Sequence, residues 1–338
     1  MRRVDSFGLA LVAAVPLICL AIGHALAAQP AFGGGLSGVE GATLRYPPPP
    51  LEPPTIIKLG TGVTYNKLAD GHDYLVKMPV VKKVGTTTLE GGRNIVIIGG
   101  YVTLPVLMKA SGQPDLSNGA ISRGIYIKNN HGVVHIEGLL VDATGGGMSD
   151  GIVIAATDSI VQIENVRVDG VFGFNHQFHA DVVQPYGGVK DLRIDKLTGY
   201  SAYQGLTIGQ DLGPIGSAEI SRANLVCIHP QINGRENNGG YMLWFTSHGG
   251  GEDTTYPLIL DEVYIQPRAG RTLGSSVWPP AGFAQCPAVI AADDSVATWP
   301  SLPKVKGCIK KGPPPHGDFV PVGVAGLKYV SPGYDKRP

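Results

Sequence analysis

Three observations predict an all-β solenoid of stacked parallel strands. Short β-branched runs are punctuated by Gly, Asn and Asp, and no window shows a convincing helical period. The runs recur behind Ile or Leu anchors: Ile98-Gly99-Gly100-Tyr101-Val102, Ile136-Glu137-Gly138, Ile163-Glu164-Asn165, Ile194-Asp195-Lys196, Ile220-Ser221-Arg222 and Leu260-Asp261-Glu262, spaced 38, 27, 31, 26 and 40 residues apart. No Asn-Gly or Asp-Gly dipeptide sits symmetrically between paired alternating runs, as the hairpins of a sandwich would require. A unit of two or three short strands cannot bury its apolar face alone, so the units must stack.

Composition agrees. The chain has 338 residues with 48 Gly and 27 Pro; 43% are hydrophobic, 16% are charged and the formal net charge is zero. Glycine without a three-residue period excludes collagen, and the apolar share with no net charge excludes a disordered chain. A neutral protein offers no electrostatic reason to expect nucleic acid or an anionic membrane as partner.

The segments follow in order. Met1-Arg2-Arg3, an apolar stretch from Leu9 to Leu20, and Ala25-Leu26-Ala27 have the three parts of a secretory signal, with cleavage expected after Ala27. Gly23, His24 and the small-residue site disfavour a retained anchor, so no membrane insertion is expected after cleavage. Residues 28–54 are rich in Gly and Pro and read as an extended linker. Residues 55–270 carry the repeat. From 271 to 338 the repeat fades and Pro returns, which predicts an irregular, Pro-rich C-terminal cap or wrap over the open end. Of the cysteines left after cleavage, Cys286 and Cys308 are 22 residues apart and are the expected disulfide in an oxidising compartment. Cys227 reads as a buried small hydrophobe.

Gly124-Ile125-Tyr126-Ile127-Lys128-Asn129, Asp150-Gly151-Ile152-Val153-Ile154, Asp181-Val182-Val183-Gln184 and Gly205-Leu206-Thr207-Ile208 each precede an anchor. In these runs the chain resembles the right-handed parallel β-helix proteins of the pectate-lyase-like class over about residues 60–270. The resemblance implies a secreted protein that processes acidic or branched polysaccharides. The Asn-Thr-Asp, Asp-Asp, Gly-His-Gly and Arg-x-Lys signatures of polygalacturonase-like hydrolases are reduced to Ser149-Asp150-Gly151 and Ser247-His248-Gly249. The calcium-binding carboxylates and arginine of pectate lyases have no clear match.

The densest polar cluster runs from His176 to Tyr186. Aligning Gly151, Asp181 and Gly205 at the head of one strand turns Ile152, Val182 and Leu206 inward and Asp181 outward. His179 then shares the outer face, and Tyr203 is its equivalent one coil on. A lyase must remove a proton beside a uronate carboxyl group and protonate the leaving oxygen. His179 and Tyr203 supply a base and an acid in either order, while Asp181 orients the imidazole or binds a cation. His176, Gln184, Tyr186 and Gln204 are candidate substrate contacts, although this alignment turns Gln184 inward, where it would join an internal hydrogen-bonded ladder. Arg235 is a candidate for an anionic group, and Tyr241 and Trp244 for a sugar face. For a hydrolase the candidate pair is Asp181 with Asp150, but the alignment places Asp150 on the opposite face.

The expected function is β-elimination of an extracellular, uronate-containing polysaccharide by a monomer exported to periplasm or medium. A glycoside hydrolase and a non-catalytic glycan-binding or cell-surface structural protein remain open. No cofactor is required and no metal site is assigned, with room for a divalent cation such as calcium at Asp181.

Overall fold

The computed structural model describes residues 43–106, 109, 111, 123–147, 149–173, 179–229, 239–251 and 255–334. The expected signal segment lies outside them. Among the described residues no helix is long and apolar enough to cross a membrane. The chain is all-β with a long, mostly parallel sheet, which fits a β-helix.

The strands fall into three ladders, visited in turn along the chain. The first joins Thr64–Leu68, Thr87–Gly91, Ile125–Lys128, the starts of Ile152–Val171 and Val183–Ser201, then Leu206–Thr207, Leu243–Trp244 and Val277–Trp278. The second joins Thr55–Lys58, Tyr74–Lys77, Ile95–Ile98 and Val133–Glu137 to the middles of the two long strands. It continues into the first parts of Ile215–Cys227, Leu258–Gln266 and Val305–Lys311. The third joins Lys83–Val84, Tyr101–Thr103 and Leu140–Asp142 to the ends of those same strands.

The core is made of rows of equivalent residues. Ile125, Ile152, Val183, Leu206, Leu243 and Val277 form one row, and Ile97, Ile136, Ile163, Ile194, Ile220 and Leu260 another, all buried. Ile97, not the expected Ile98, is thus the first anchor of its row. Each such side chain contributes about 1.5–3 kcal/mol on burial. The turn from the second ladder into the third is also a row: Gly99, Gly138, Asn165, Lys196, Arg222 and Glu262 all have φ between 47° and 68°. That left-handed conformation suits Gly best. At Gly138 no side chain is tolerated, because a Cβ would lie 2.0 Å from the Tyr329 ring.

The parallel ladders continue past residue 270 through Val277–Trp278 and Val305–Lys311. Antiparallel pairing of Val289–Ile290 with Val296–Thr298, and of the latter with Val305–Lys311, breaks the pattern there. Trp299 is buried against Phe245, ring centroids 4.9 Å apart, and donates to the Pro279 carbonyl at 3.0 Å. The expected Cys286–Cys308 disulfide is corrected: Cys286 is a free thiol, buried in the apolar core with its Sγ 3.5 Å from the Gly251 amide nitrogen. Separation along the chain sets loop size but not the direction in which a thiol points.

Both ends of the described chain lie along the outside of the ladders. Asp318 accepts from Arg167 at 2.7 Å, Asn224 at 2.9 Å and Tyr200 at 3.0 Å, three successive rungs of the third ladder. At the other end, Arg93 donates to Asp73 at 2.7 and 2.9 Å, and the Glu52 amide adds a bond at 2.8 Å. The Arg93 bonds, helped by backbone donors, hold the Asp73 carboxyl down at about 2.

The second ladder ends in a column of stacked acids: Glu137, Glu164, Asp195 and, beyond Ser221, Asp261. Glu137 accepts from Tyr329 and from Ser331, the latter at 3.0 Å. Asp195 pairs with Arg222, whose Nε lies 2.7 Å away. Glu164 accepts the backbone N–H groups of Arg45 at 2.8 Å and Tyr46 at 3.2 Å. Burial, then the neighbouring Asp195 carboxylate, raises Glu164 to about 8 against those donors.

A raised folded-state pKa means that the native protein holds this proton more tightly than the unfolded chain. The contribution is complete below the ordinary carboxylate range and is lost as pH rises through about 8. Glu164→Gln should therefore flatten the decline of stability between about pH 5 and pH 8 in denaturant melts. Parallel wild-type and variant profiles across that interval would refute the assignment.

Candidate functional site

The register of the first ladder positions the polar cluster. Ile125, Ile152, Val183, Leu206, Leu243 and Val277 are partners, so the residues one before them are Gly124, Gly151, Val182, Gly205, Met242 and Ser276. Val182, not Asp181, is therefore the equivalent of Gly151 and Gly205. The expected alignment was one residue out: Val183, not Val182, stacks with Ile152 and Leu206, although Val182 is buried as expected. Val182 turns into the core, where a Cβ on Gly199 would come within 2.7 Å of it.

One residue earlier still, the same register brings Arg123, Asp150, Asp181, Gln204 and Tyr241 into a single column. Contacts bear this out for the first three: Asp150 Oδ1 accepts the Asp181 backbone N–H at 3.0 Å, and Asp150 Oδ2 lies 3.5 Å from Arg123 Nε. Asp150, expected on the opposite face, is the neighbour of Asp181. Gln184 is corrected in the same way: it lies in the row Tyr126, Val153, Gln184, Thr207, Trp244 and Trp278, which alternates with the core row.

Asp181, expected exposed, is fully buried. Thr207 donates to its Oδ1, and its Oδ2 has no partner. Gln204 Oε1, in the same column, also lacks a hydrogen bond although buried, and Arg123 Nε makes none beyond its ion pair with Asp150. Burial, then the Asp150 carboxylate, pushes Asp181 well above the usual carboxylate range. Burial raises Asp150 too, but Arg123 and the Asp181 amide oppose the rise. The environments differ: Arg123 lies against Asp150 and favours its charged form, while the neighbouring Asp150 disfavours the charged form of Asp181.

His179 is exposed, and its ring lies 5.3 Å from that of Tyr203 at 41°. Tyr203, expected on the open face, is 4% exposed, and burial followed by the charges of Asp181 and Tyr241 pushes it up to about 12. Arg123 stacks over Tyr126 at 4.9 Å. Tyr241 and Trp244 are half-buried and meet edge to face at 5.6 Å. Tyr186 is exposed. The structure thus brings together Asp150, Asp181, His179, Tyr203, Gln184 and Gln204, with Tyr241 and Trp244 on the next rung. His176 and Arg235 lie outside the described residues.

No family model, curated protein or solved structure matches the chain. Among the described residues no three His, Cys, Asp or Glu converge as metal ligands. An oxygen-seeking cation would find Asp150, Asp181, Gln204 and Thr207 here, with one of the two carboxylates already facing Arg123.

Arg123 and Trp278 were missed, and both had a signal. Arg123 precedes Gly124-Ile125 as Asp150 precedes Gly151-Ile152, and Val277-Trp278 repeats Leu243-Trp244. Burial and the neighbouring Asp150 disfavour a charge on Asp181, so Asp181→Asn should leave stability to chemical denaturation close to wild type. Asp150→Asn strips Arg123 of its counter-charge and should cost about 1–3 kcal/mol. The reverse order of effects would mean that the charge is on Asp181.

Proposed function

We propose that this protein is a secreted, monomeric right-handed β-helix of pectate-lyase-like type that cleaves a uronate-containing polysaccharide by β-elimination on the outer face of the first ladder. The observation that carries the reading is the exposed His179 ring 5.3 Å from the Tyr203 ring, beside the Asp150–Asp181 pair.

The roles follow from exposure and acidity. His179 reaches solvent and acts as the base that takes the proton beside the uronate carboxyl group. Tyr203, raised to about 12, keeps its proton at neutral pH and is the acid that supplies the leaving oxygen. An alkoxide leaving group is basic enough to take a proton from so weak an acid. Arg123, whose Nε faces Asp150 at 3.5 Å, is the cationic group of the column that a uronate carboxylate requires. Asp181 orients the cluster from beneath.

Hydrolysis is the second reading, favoured by the separated acidities of Asp150 and Asp181, which would serve as base and acid. Elimination is preferred because its base must reach the substrate and His179 is exposed, whereas hydrolysis would draw both its groups from the buried Asp150 and Asp181.

A panel of acidic polysaccharides separates the two readings. Elimination yields unsaturated ends that absorb in the ultraviolet, and His179→Ala should lower the rate at least about 100-fold. New reducing ends without absorbance would select hydrolysis. Cleavage that survives His179→Ala at the wild-type rate would remove His179 from the chemistry, and no product from any substrate would leave a glycan-binding or structural role.

A further inference from the structure

The two C-terminal rungs of the first ladder carry rings that the chemistry at His179 does not use. Trp244 and Trp278 are register partners with centroids 5.3 Å apart and planes at 39°. Tyr241 flanks them at 5.6 and 5.3 Å, and His248 at 4.5 and 6.3 Å. All four are half-buried or exposed.

The rings pack on one another and are fixed by hydrogen bonds from their edges, and both indoles remain half-buried. Trp244 Nε1 donates to the Thr246 carbonyl at 2.7 Å and Trp278 Nε1 to the Ser247 carbonyl at 3.2 Å. With both indole donors used, a ligand meets π-surface there. Phe283 packs on Trp278 at 4.8 Å, in space that Gly250 leaves open, since a Cβ there would lie 2.1 Å from it. His248 is fixed by Asp211, which accepts its backbone N–H at 2.9 Å and lies 2.8 Å from Nδ1. Such a cradle is organised before any ligand arrives.

Its charge selects the ligand. Among the described residues no Lys or Arg stands over Tyr241, Trp244 or Trp278. The Asp211 carboxylate, hydrogen-bonded to His248, lies at the cradle and disfavours an acidic sugar. An uncharged pyranose puts C–H groups on the aromatic faces and hydroxyls toward His248 and Asp211.

We propose that Tyr241, Trp244, Trp278 and His248 form a subsite for an uncharged sugar ring. The site lies two to three rungs, about 10–14 Å, from the level of Asp181. The substrate is then a heteropolysaccharide in which neutral units accompany the acidic ones. This rests on the reading of the first ladder as a glycan-processing face, but its test does not depend on turnover.

The intact protein would be titrated with cellohexaose, xylohexaose, mannohexaose and hexagalacturonate, following tryptophan fluorescence and heat. At least one neutral hexasaccharide should bind saturably. Trp278→Ala should weaken it about tenfold, while Trp278→Phe, which keeps a ring and guards against misfolding, should stay within about threefold. Neutral binding without cleavage of any acidic polymer would uphold the subsite and remove the lyase reading. Cleavage with no neutral binding, or with neutral affinity indifferent to Trp278→Ala, would overturn the subsite and leave the lyase reading intact. A Trp278 dependence equally strong for hexagalacturonate would also overturn it, because the site would not discriminate by charge.

Discussion

Each side chain in the parallel ladders has its equivalents one rung above and one below, at about 4.8 Å. Like is stacked on like. For an aliphatic residue this is favourable without limit, and the Ile97-to-Leu260 row closes one side of the core by repeating a single side-chain shape. For a charged residue the same constraint brings like charges together, so any acid that recurs at one position must be neutralised from outside the ladder. Much of what distinguishes this molecule from a plain stack answers that requirement.

The column ending the second ladder illustrates it. Glu137, Glu164 and Asp195 follow one another with no basic rung between them. Their partners come from elsewhere in the chain: Tyr329 and Ser331 from the C-terminal tail, the Arg45 and Tyr46 amides from the N-terminal segment, and Arg222 from the next left-handed turn. Both ends of the chain are thereby fastened to the outside of the ladders by hydrogen bonds to carboxylates. The segment 43–54, rich in Pro, is held further by Arg45, which pairs with Glu219 and Asp261, by the buried Tyr46 and by the Glu52 amide on Asp73. An extended Pro-rich chain suits this use because its amides are not committed to internal bonds.

The repeat was legible because aliphatic anchors and left-handed turns recur together, and both leave marks in residue type. Register was legible only to within one residue. Gly151 and Gly205 suggested that the residue between them in the alignment, Asp181, occupied the same bend, whereas Val182 does. Bulk at that bend is accommodated by Gly199 on the neighbouring strand, a compensation between positions far apart in sequence. That single step hid the contact of Asp150 with Asp181 and the column containing Arg123. The Trp244–Trp278 stack was hidden differently: the irregular connection between their strands masked their equivalence. The Cys286–Cys308 pairing failed because chain separation carries no information about where a side chain points.

The two sets of buried acids differ in a way that bears on function. In the second ladder Glu137, Glu164 and Asp195 have partners drawn from segments that the fold fastens there, as expected of groups retained for structure. In the first ladder Asp181 Oδ2, Gln204 Oε1 and Arg123 Nε are buried in one column with no hydrogen bond. An unmet buried polar atom costs about 1–3 kcal/mol, and an apolar side chain at any of these positions would avoid the cost. Beyond the Asp150 contacts with Arg123 and the Asp181 amide, stability gives little reason for this column, and the strand register would accept aliphatic residues, as it does at Val153 three residues on from Asp150. The unmet acceptors and donor lie beside the exposed His179 and lead along the same face to the rings of Tyr241, Trp244 and Trp278. A polymer rich in hydroxyl and carboxyl groups, lying along the stacking direction, offers complementary groups at each of these rungs.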